Sequence, residues 1–123
     1  MGKFRIKSTE KGYVFRLNAA NGVTIAVSGT YETLEECQKG IESLKRVSAQ
    51  ANFEDQTVRG YDVVKTPKFE ILKDNNENFR FRLRDMEGKE TVLSQGYTTK
   101  QNCLNGMESI RKNAESSEII IEN

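Results

Sequence analysis

Apolar and polar residues alternate over residues 3–7, with Phe4 and Ile6 on one side and Lys3, Arg5 and Lys7 on the other. A period of two predicts a short, half-buried strand. A polar turn occupies residues 8–12, and alternation resumes over 13–19. There Tyr13, Phe15, Leu17 and Ala19 are expected to face a core, with Val14, Arg16 and Asn18 facing away. Asn21 and Gly22 are the strongest short-range hairpin signal, because a type I′ turn needs positive φ at both central residues. A third strand is expected over 23–28, with Ile25 and Val27 inward and Ala26 opposite. The period then lengthens. Cys37, Gly40, Ile41, Leu44 and Val47 recur at helical spacing and predict a helix over 34–50. Thr33 and Glu36 form a capping box at its start, and Lys45 and Arg46 suit the negative end of its dipole. Residues 52–55 are a candidate fourth strand.

The same pattern then returns. Residues 94–112 (SQGYTTKQNCLNGMESIRK) nearly copy residues 28–46 (SGTYETLEECQKGIESLKR). Lys3, Phe4 and Ile6 match Lys68, Phe69 and Ile71, and the second strand matches residues 79–83. Ser28, Tyr31, Cys37, Gly40, Glu42 and Ser43 match Ser94, Tyr97, Cys103, Gly106, Glu108 and Ser109. The offset grows from 65 to 66 in the first turn, where an extra residue costs least. A glycine inside a helix costs roughly 1 kcal/mol relative to alanine. Its place on the buried side in both copies implies close approach of the helix backbone to the sheet. Residues 52–55 correspond to the more apolar 118–121. Residues 56–67, punctuated by Gly60 and Pro67, read as a linker between a first repeat over 1–55 and a second over 68–123. Val63 and Val64 are the part of it most able to pair as a strand.

The expected fold class is therefore α+β: two β-β-β-α-β units in tandem. One unit alone buries too little to be stable, so the two must share a core. The simplest solution is one mainly antiparallel sheet with both helices on one face.

The phrases KFRI, YVFRLNAANG, SGTY and GIESLK, with their second copies, resemble the YegP-like family of small uncharacterised bacterial proteins. The resemblance covers nearly the whole chain apart from the linker. It implies a tandem repeat whose units form a single sheet and exchange their last strands, and a monomer. It brings no established activity. Glu87 and Gly88 in place of Asn-Gly in the second hairpin, Met107 in place of Ile, and the long linker depart from the pattern.

Composition narrows the chemistry. Nineteen Lys and Arg balance eighteen Asp and Glu, for a net charge of +1 over 123 residues. That balance supplies no general excess of cations for a nucleic acid or an anionic membrane. No apolar run is long enough for a signal peptide or a membrane span. Met1 and Gly2 do not open a myristoylation pattern, because Ile6 stands where Ser or Thr is needed. A cytoplasmic chain with reduced cysteines is the expectation. There is no histidine, so histidine base catalysis and His-based metal sites are excluded. No phosphate-binding loop, metal site or cofactor motif is read.

Three sets of residues remain as candidates. Cys37 and Cys103 read either as a redox pair or as small buried hydrophobes, the latter being the commoner state of free cysteine. Ser28, Tyr31, Glu42 and Ser43, with Ser94, Tyr97, Glu108 and Ser109, read as two ligand sites or as groups that satisfy the backbone at the sheet-to-helix turn. The third set is a basic outer sheet face: Lys3, Arg5, Lys7 and Arg16, with Lys68, Arg80, Arg82 and Arg84. Such arginines can grip phosphates or an acidic partner. Glu70 and Glu90 share that face and are placed to neutralise them, and the face lacks aromatics for base stacking. The expected function is a small non-enzymatic binding domain that uses this face for a protein or anionic ligand. The alternatives are a nucleic-acid-associated protein using the same face, and an enzyme built on the repeated Tyr, Glu and Ser positions.

Overall fold

The computed structural model describes residues 2–122; Met1 and Asn123, the outer ends of the two expected repeats, lie outside them. The first unit runs β1 (Lys3–Thr9), β2 (Gly12–Asn18), β3 (Thr24–Ser28), α1 (Leu34–Ser48) and β4 (Asn52–Asp55). The second runs β5 (Lys68–Lys73), β6 (Phe79–Arg84), β7 (Glu90–Ser94), α2 (Lys100–Asn113) and β8 (Glu118–Glu122), with a 3-10 turn before the last strand. The eight strands form one sheet in the order β4-β5-β6-β7-β3-β2-β1-β8.

The last strands are exchanged. β4 leaves its own unit and pairs parallel to β5, and β8 pairs parallel to β1. Between the units, β3 and β7 pair antiparallel through Ala26 and Ser94, Val27 and Leu93, and Ser28 and Val92. These are equivalent residues taken in reverse order, so a pseudo-twofold axis passes between Val27 and Leu93. All other neighbouring strands pair antiparallel within their units.

Both helices cover one face, α1 over β2 and α2 over β6. The core beneath them is duplicated. Phe4 meets Phe15 edge-on at 5.9 Å, and Phe69 meets Phe81 in the same way at 6.1 Å. Ile41 and Leu44 close the first half, and Met107 and Ile110 the second. Met107, the departure from isoleucine, is buried like its counterpart. Helix α2 grips the strand received from the other unit at both ends. Lys100 pairs with Asp55, and Arg111 Nη1 donates to the Ala51 carbonyl at 2.9 Å. Thr33 caps α1 as expected by accepting from the Glu36 N–H. The Glu36 carboxylate, however, meets the Thr33 hydroxyl at 3.3 Å, where the capping box expected the Thr33 N–H. Thr99 caps α2 by accepting from the Asn102 N–H.

The β3 faces differ from expectation. Ala26 is fully buried and Val27 is exposed. The cause is a bulge. Leu17 faces Ala26 while Asn18 faces Thr24, so Ile25 is an extra residue and turns to the core side together with Ala26. Asn18, expected to face outward, is drawn in at the bulge, where its side-chain oxygen accepts from Thr24 Oγ1. The second unit repeats the bulge at Thr91.

The hairpin also differs. Gly22 has φ +89°, but Asn21 does not have positive φ. The Gly22 N–H donates to Ala19 O and the Ala19 N–H to Val23 O, the bonding of a type I turn closed by a left-handed glycine. Asp85, Gly88 and Lys89 form the same pattern, with Gly88 at φ +86°. Only the glycine needs the special conformation, which is why Glu87 is tolerated beside it.

Gly40 and Gly106 are explained by tyrosines rather than by the sheet backbone. A Cβ on Gly40 would collide with the Tyr31 phenol, and one on Gly106 with that of Tyr97. Tyr31 is in turn stacked on Phe15 at 6.1 Å. Gly40→Ala should therefore destabilise the protein by about 1–3 kcal/mol in urea unfolding, although alanine is the better helix former. Gly106→Ala should behave alike.

Candidate functional site

The strand register aligns one residue per strand into a row across the outer, helix-free face. In spatial order it runs Ile120, Arg5, Arg16, Val27, Leu93, Arg82, Glu70 and Glu54. The pseudo-twofold axis cuts the row in the middle, and its two halves have diverged. The half built on β1, β2 and β3 carries two arginines and ends on an isoleucine from the exchanged β8. The half built on β5, β6 and β7 carries one arginine and two glutamates, one of them from the exchanged β4.

The second half is neutralised. Glu54 Oε1 accepts from Lys68 Nζ at 2.8 Å and from the Val64 N–H at 2.8 Å, and its Oε2 accepts from Gln56 Nε2 at 2.6 Å. Glu70 takes Arg82 and Arg84 on one oxygen and Lys68, at 3.2 Å, on the other. Arg80 pairs with Asp74 at 2.7 Å and also donates to the Ser94 carbonyl. Lys68, Glu54 and Glu70 are all buried, although they point away from the helices. The linker helps bury them. It forms no strand, but it folds back so that Val64 bonds Glu54, Asn52 bonds the Lys65 carbonyl, and Thr66 reaches the Met86 carbonyl in the β6–β7 turn. The segment from 56 to 67 is thus a strap as well as a connection. Lys68, expected on an open basic surface, lies beneath it.

Burial by itself would raise the Glu54 carboxyl. The hydrogen bonds from Lys68, Gln56 and Val64 outweigh it and hold the group down at about 2. Burial likewise opposes the charge on Lys68, but Glu54 and Glu70 raise its affinity for the proton.

The first half is open and unbalanced. Arg5 and Arg16 share one carboxylate, Glu122, at 3.6 and 3.0 Å. Lys3 lies 3.7 Å from Glu118, and among the described residues Lys7 has no ion pair. Among the described residues, four cations therefore stand against two carboxylates, beside exposed Val27 and half-buried Ile120. The charge rule for strands identified Glu70 and Glu90 as neutralisers but missed Glu54 and Glu122. Both arrive on exchanged strands. The signal was in the repeat alignment, which sets Glu54 against Ile120.

The repeated polar positions do not converge. The Ser28 and Ser94 hydroxyls accept the N–H groups of Phe15 and Phe81, at 2.9 and 3.0 Å, and donate to the next carbonyl. They stand in for ladder bonds where β3 and β7 turn away from their neighbours. The backbones of Tyr31 and Tyr97 bond those of Tyr13 and Phe79. Glu42 lines a different groove, with Lys45 and Arg46, and Glu108 pairs with Arg111. Tyr31 and Ser43 do share an open groove, formed by α1 and the β6–β7 turn of the other unit, with Glu36, Lys39, Asp85 and Lys89. Its pseudo-symmetric counterpart contains Tyr97 and Ser109. Burial raises the Tyr31 and Tyr97 hydroxyls and pushes both cysteine thiols up to about 11, away from a reactive thiolate. No helix among the described residues is long and apolar enough to cross a membrane.

This architecture, two β-β-β-α-β units with exchanged last strands, defines a class. The model of a domain of unknown function, DUF1508, matches residues 8–55 and again 74–120. The chain belongs to that family and carries its domain twice. A UPF0339 protein of Treponema denticola is 43% identical over 53 residues, which are 43% of this chain but 91% of the relative, so it matches one unit. A UPF0339 protein of Pseudomonas aeruginosa is 29% identical over 111 residues, spanning 89% of this chain and 87% of its own length. The solution structure of Escherichia coli YegP, described as a protein of unknown function, superposes with a TM-score of 0.80 at 25% identity over 98% of this chain and 92% of its own.

Two outcomes follow. Ser94→Ala leaves the buried Phe81 N–H without a partner and should cost about 1–3 kcal/mol in urea unfolding. The stabilising charge on Glu54 is fully present above the ordinary carboxylate range, near pH 4.3, and is lost as pH falls through about 2. Urea midpoints should therefore drop over that window, and Glu54→Gln should flatten the drop.

Proposed function

We propose that this protein is a non-enzymatic interaction domain that takes an extended acidic segment of a partner protein on the open half of its outer face. One observation carries the reading: the two halves of that face share a backbone but differ in cover and in charge. The strap illustrates how an extended chain lies on the sheet, with a backbone N–H and side chains meeting the carboxylate of the edge strand. The open half offers the opposite polarity. Arg5 and Arg16 have one shared carboxylate, so a second carboxylate can complete a bidentate pair without displacing the first. Val27 and Ile120 give apolar contact beside the charges. The row across the sheet holds no aromatic side chain, which favours a peptide over stacked bases.

Fluorescence anisotropy with a labelled, extended acidic peptide tests this, against a basic peptide of equal length and a single-stranded oligonucleotide. The acidic peptide is expected to bind best, and Arg5→Glu with Arg16→Glu to weaken it at least tenfold. Lys112→Glu, on α2 across the sheet, should change little. Equal binding of the basic peptide, or an unaffected double variant, contradicts the proposal. Preference for the oligonucleotide with a steep salt dependence supports the nucleic-acid reading instead.

A further inference from the structure

The second groove, between α2 and the β2–β3 turn, differs from its pseudo-symmetric counterpart in one consistent respect. Lys39 is replaced by Asn105, Glu36 by Asn102, Lys89 by Val23 and Thr91 by Ile25. The groove is open to solvent and measures about 340 Å³; Ala19, Ile25 and Ser109 also line a neighbouring cavity of about 230 Å³. The groove is within the range of small-molecule sites, roughly 300–1,000 Å³. None of the residues lining either is charged. In a chain with 30% charged residues, such a lining is a local departure from the surface composition.

We infer that this groove binds an uncharged, polyhydroxylated ring, a neutral saccharide unit. A charged ligand would lose hydration without meeting a counter-charge. The polar groups present are amides and hydroxyls, which donate and accept at once. The Asn102 side chain is exposed at the rim and Ser109 lines both the groove and the neighbouring cavity, so both polar groups are accessible to a ligand. Asn105 commits its oxygen to Gln101, which leaves its two N–H donors for a ligand. Opposite this rim, Val23, half-exposed at 50%, and Ile25 form an apolar wall, and Tyr97 adds an aromatic ring. A hydroxyl edge against amides and a C–H face against apolar side chains is the pairing that a sugar ring presents. The counterpart groove cannot do the same. Lys89 lies over the Tyr31 ring at 5.7 Å, and Glu36 and Asp85 flank it.

The test is a titration of the full chain, by amide chemical shifts, with a panel of neutral methyl glycosides, and with glucuronic acid and glucosamine as charged analogues. The expected result is a saturable shift confined to residues around Val23, Tyr97, Asn102 and Gly106 with at least one neutral glycoside, and at least tenfold weaker response to the charged analogues. Val23→Lys with Asn105→Lys should abolish it. Those positions carry lysine in the other groove, so the fold is expected to tolerate them, and an otherwise unchanged spectrum verifies that. No saturable shift with any neutral glycoside overturns the inference. So does an equal response to the charged analogues, equal shifts around Tyr31, or retained binding in the double variant.

Discussion

Pairing of each unit's first strand with the other unit's last strand is the constraint on which the rest depends. A single unit has β1 or β5 exposed along one edge, with a row of unpaired backbone groups. The exchanged strands cover those edges, and the cost of ordering them is offset by a full parallel ladder and by the grip of α2 on β4 through Asp55 and Ala51. The two phenylalanine pairs and the two bulges then repeat on either side of an axis through Val27 and Leu93. The core is duplicated down to ring geometry, as expected when two copies meet the same packing problem.

Exchange also breaks the symmetry that duplication made. A chain that hands its fourth strand to the other unit must travel from β4 to the start of β5, and of the twelve residues that do so Gln56 and Val64 bond Glu54 on the outer face. They bury Glu54, which only makes sense beside Lys68, Glu70 and the paired arginines. Among the described residues, no comparable strap lies over the half formed by β8, β1 and β2. There the position of Glu54 is held by Ile120, and that of Glu70 by Arg5. The two grooves between the units differ as well, one lined by charges around Tyr31 and the other uncharged around Tyr97. The shared scaffold set where these surfaces lie, and the differences between copies set their chemistry.

Most of the fold was legible because its signals are periodic and appear twice. Strand β4 falls on the candidate residues 52–55, and β7 and α2 fall where the repeat offset of 66 carries β3 and α1. Val27 was misplaced because a bulge shifts the period by one, and a single extra residue leaves no local signature at Ile25. The Asn21–Gly22 pair suggested a turn with two positive φ values, whereas the hairpin needs only one. Gly40 was recognised as a close approach, but its neighbour, Tyr31, is set by tertiary packing. At the outer face, strand alternation alone made Arg80, Arg82 and Arg84 candidates alongside Arg5, Arg16 and Lys68. Arg82 and Arg84 are neutralised by Glu70 and Arg80 by Asp74, while the burial of Lys68 against Glu54 depends on a linker with no periodic pattern. Arg5 and Arg16 were visible as candidates, but their prominence emerges only once the other half is seen to be covered.

The most direct test of the account is amide hydrogen exchange across the sheet in an Ile120→Pro variant, which interrupts the β8 ladder. Exchange of last strands predicts that β1, at the far end of the sequence, loses protection first and most, while β5 and β6 of the same unit as β8 keep theirs relative to it. Loss centred on β5 and β6, with β1 unchanged, would contradict it.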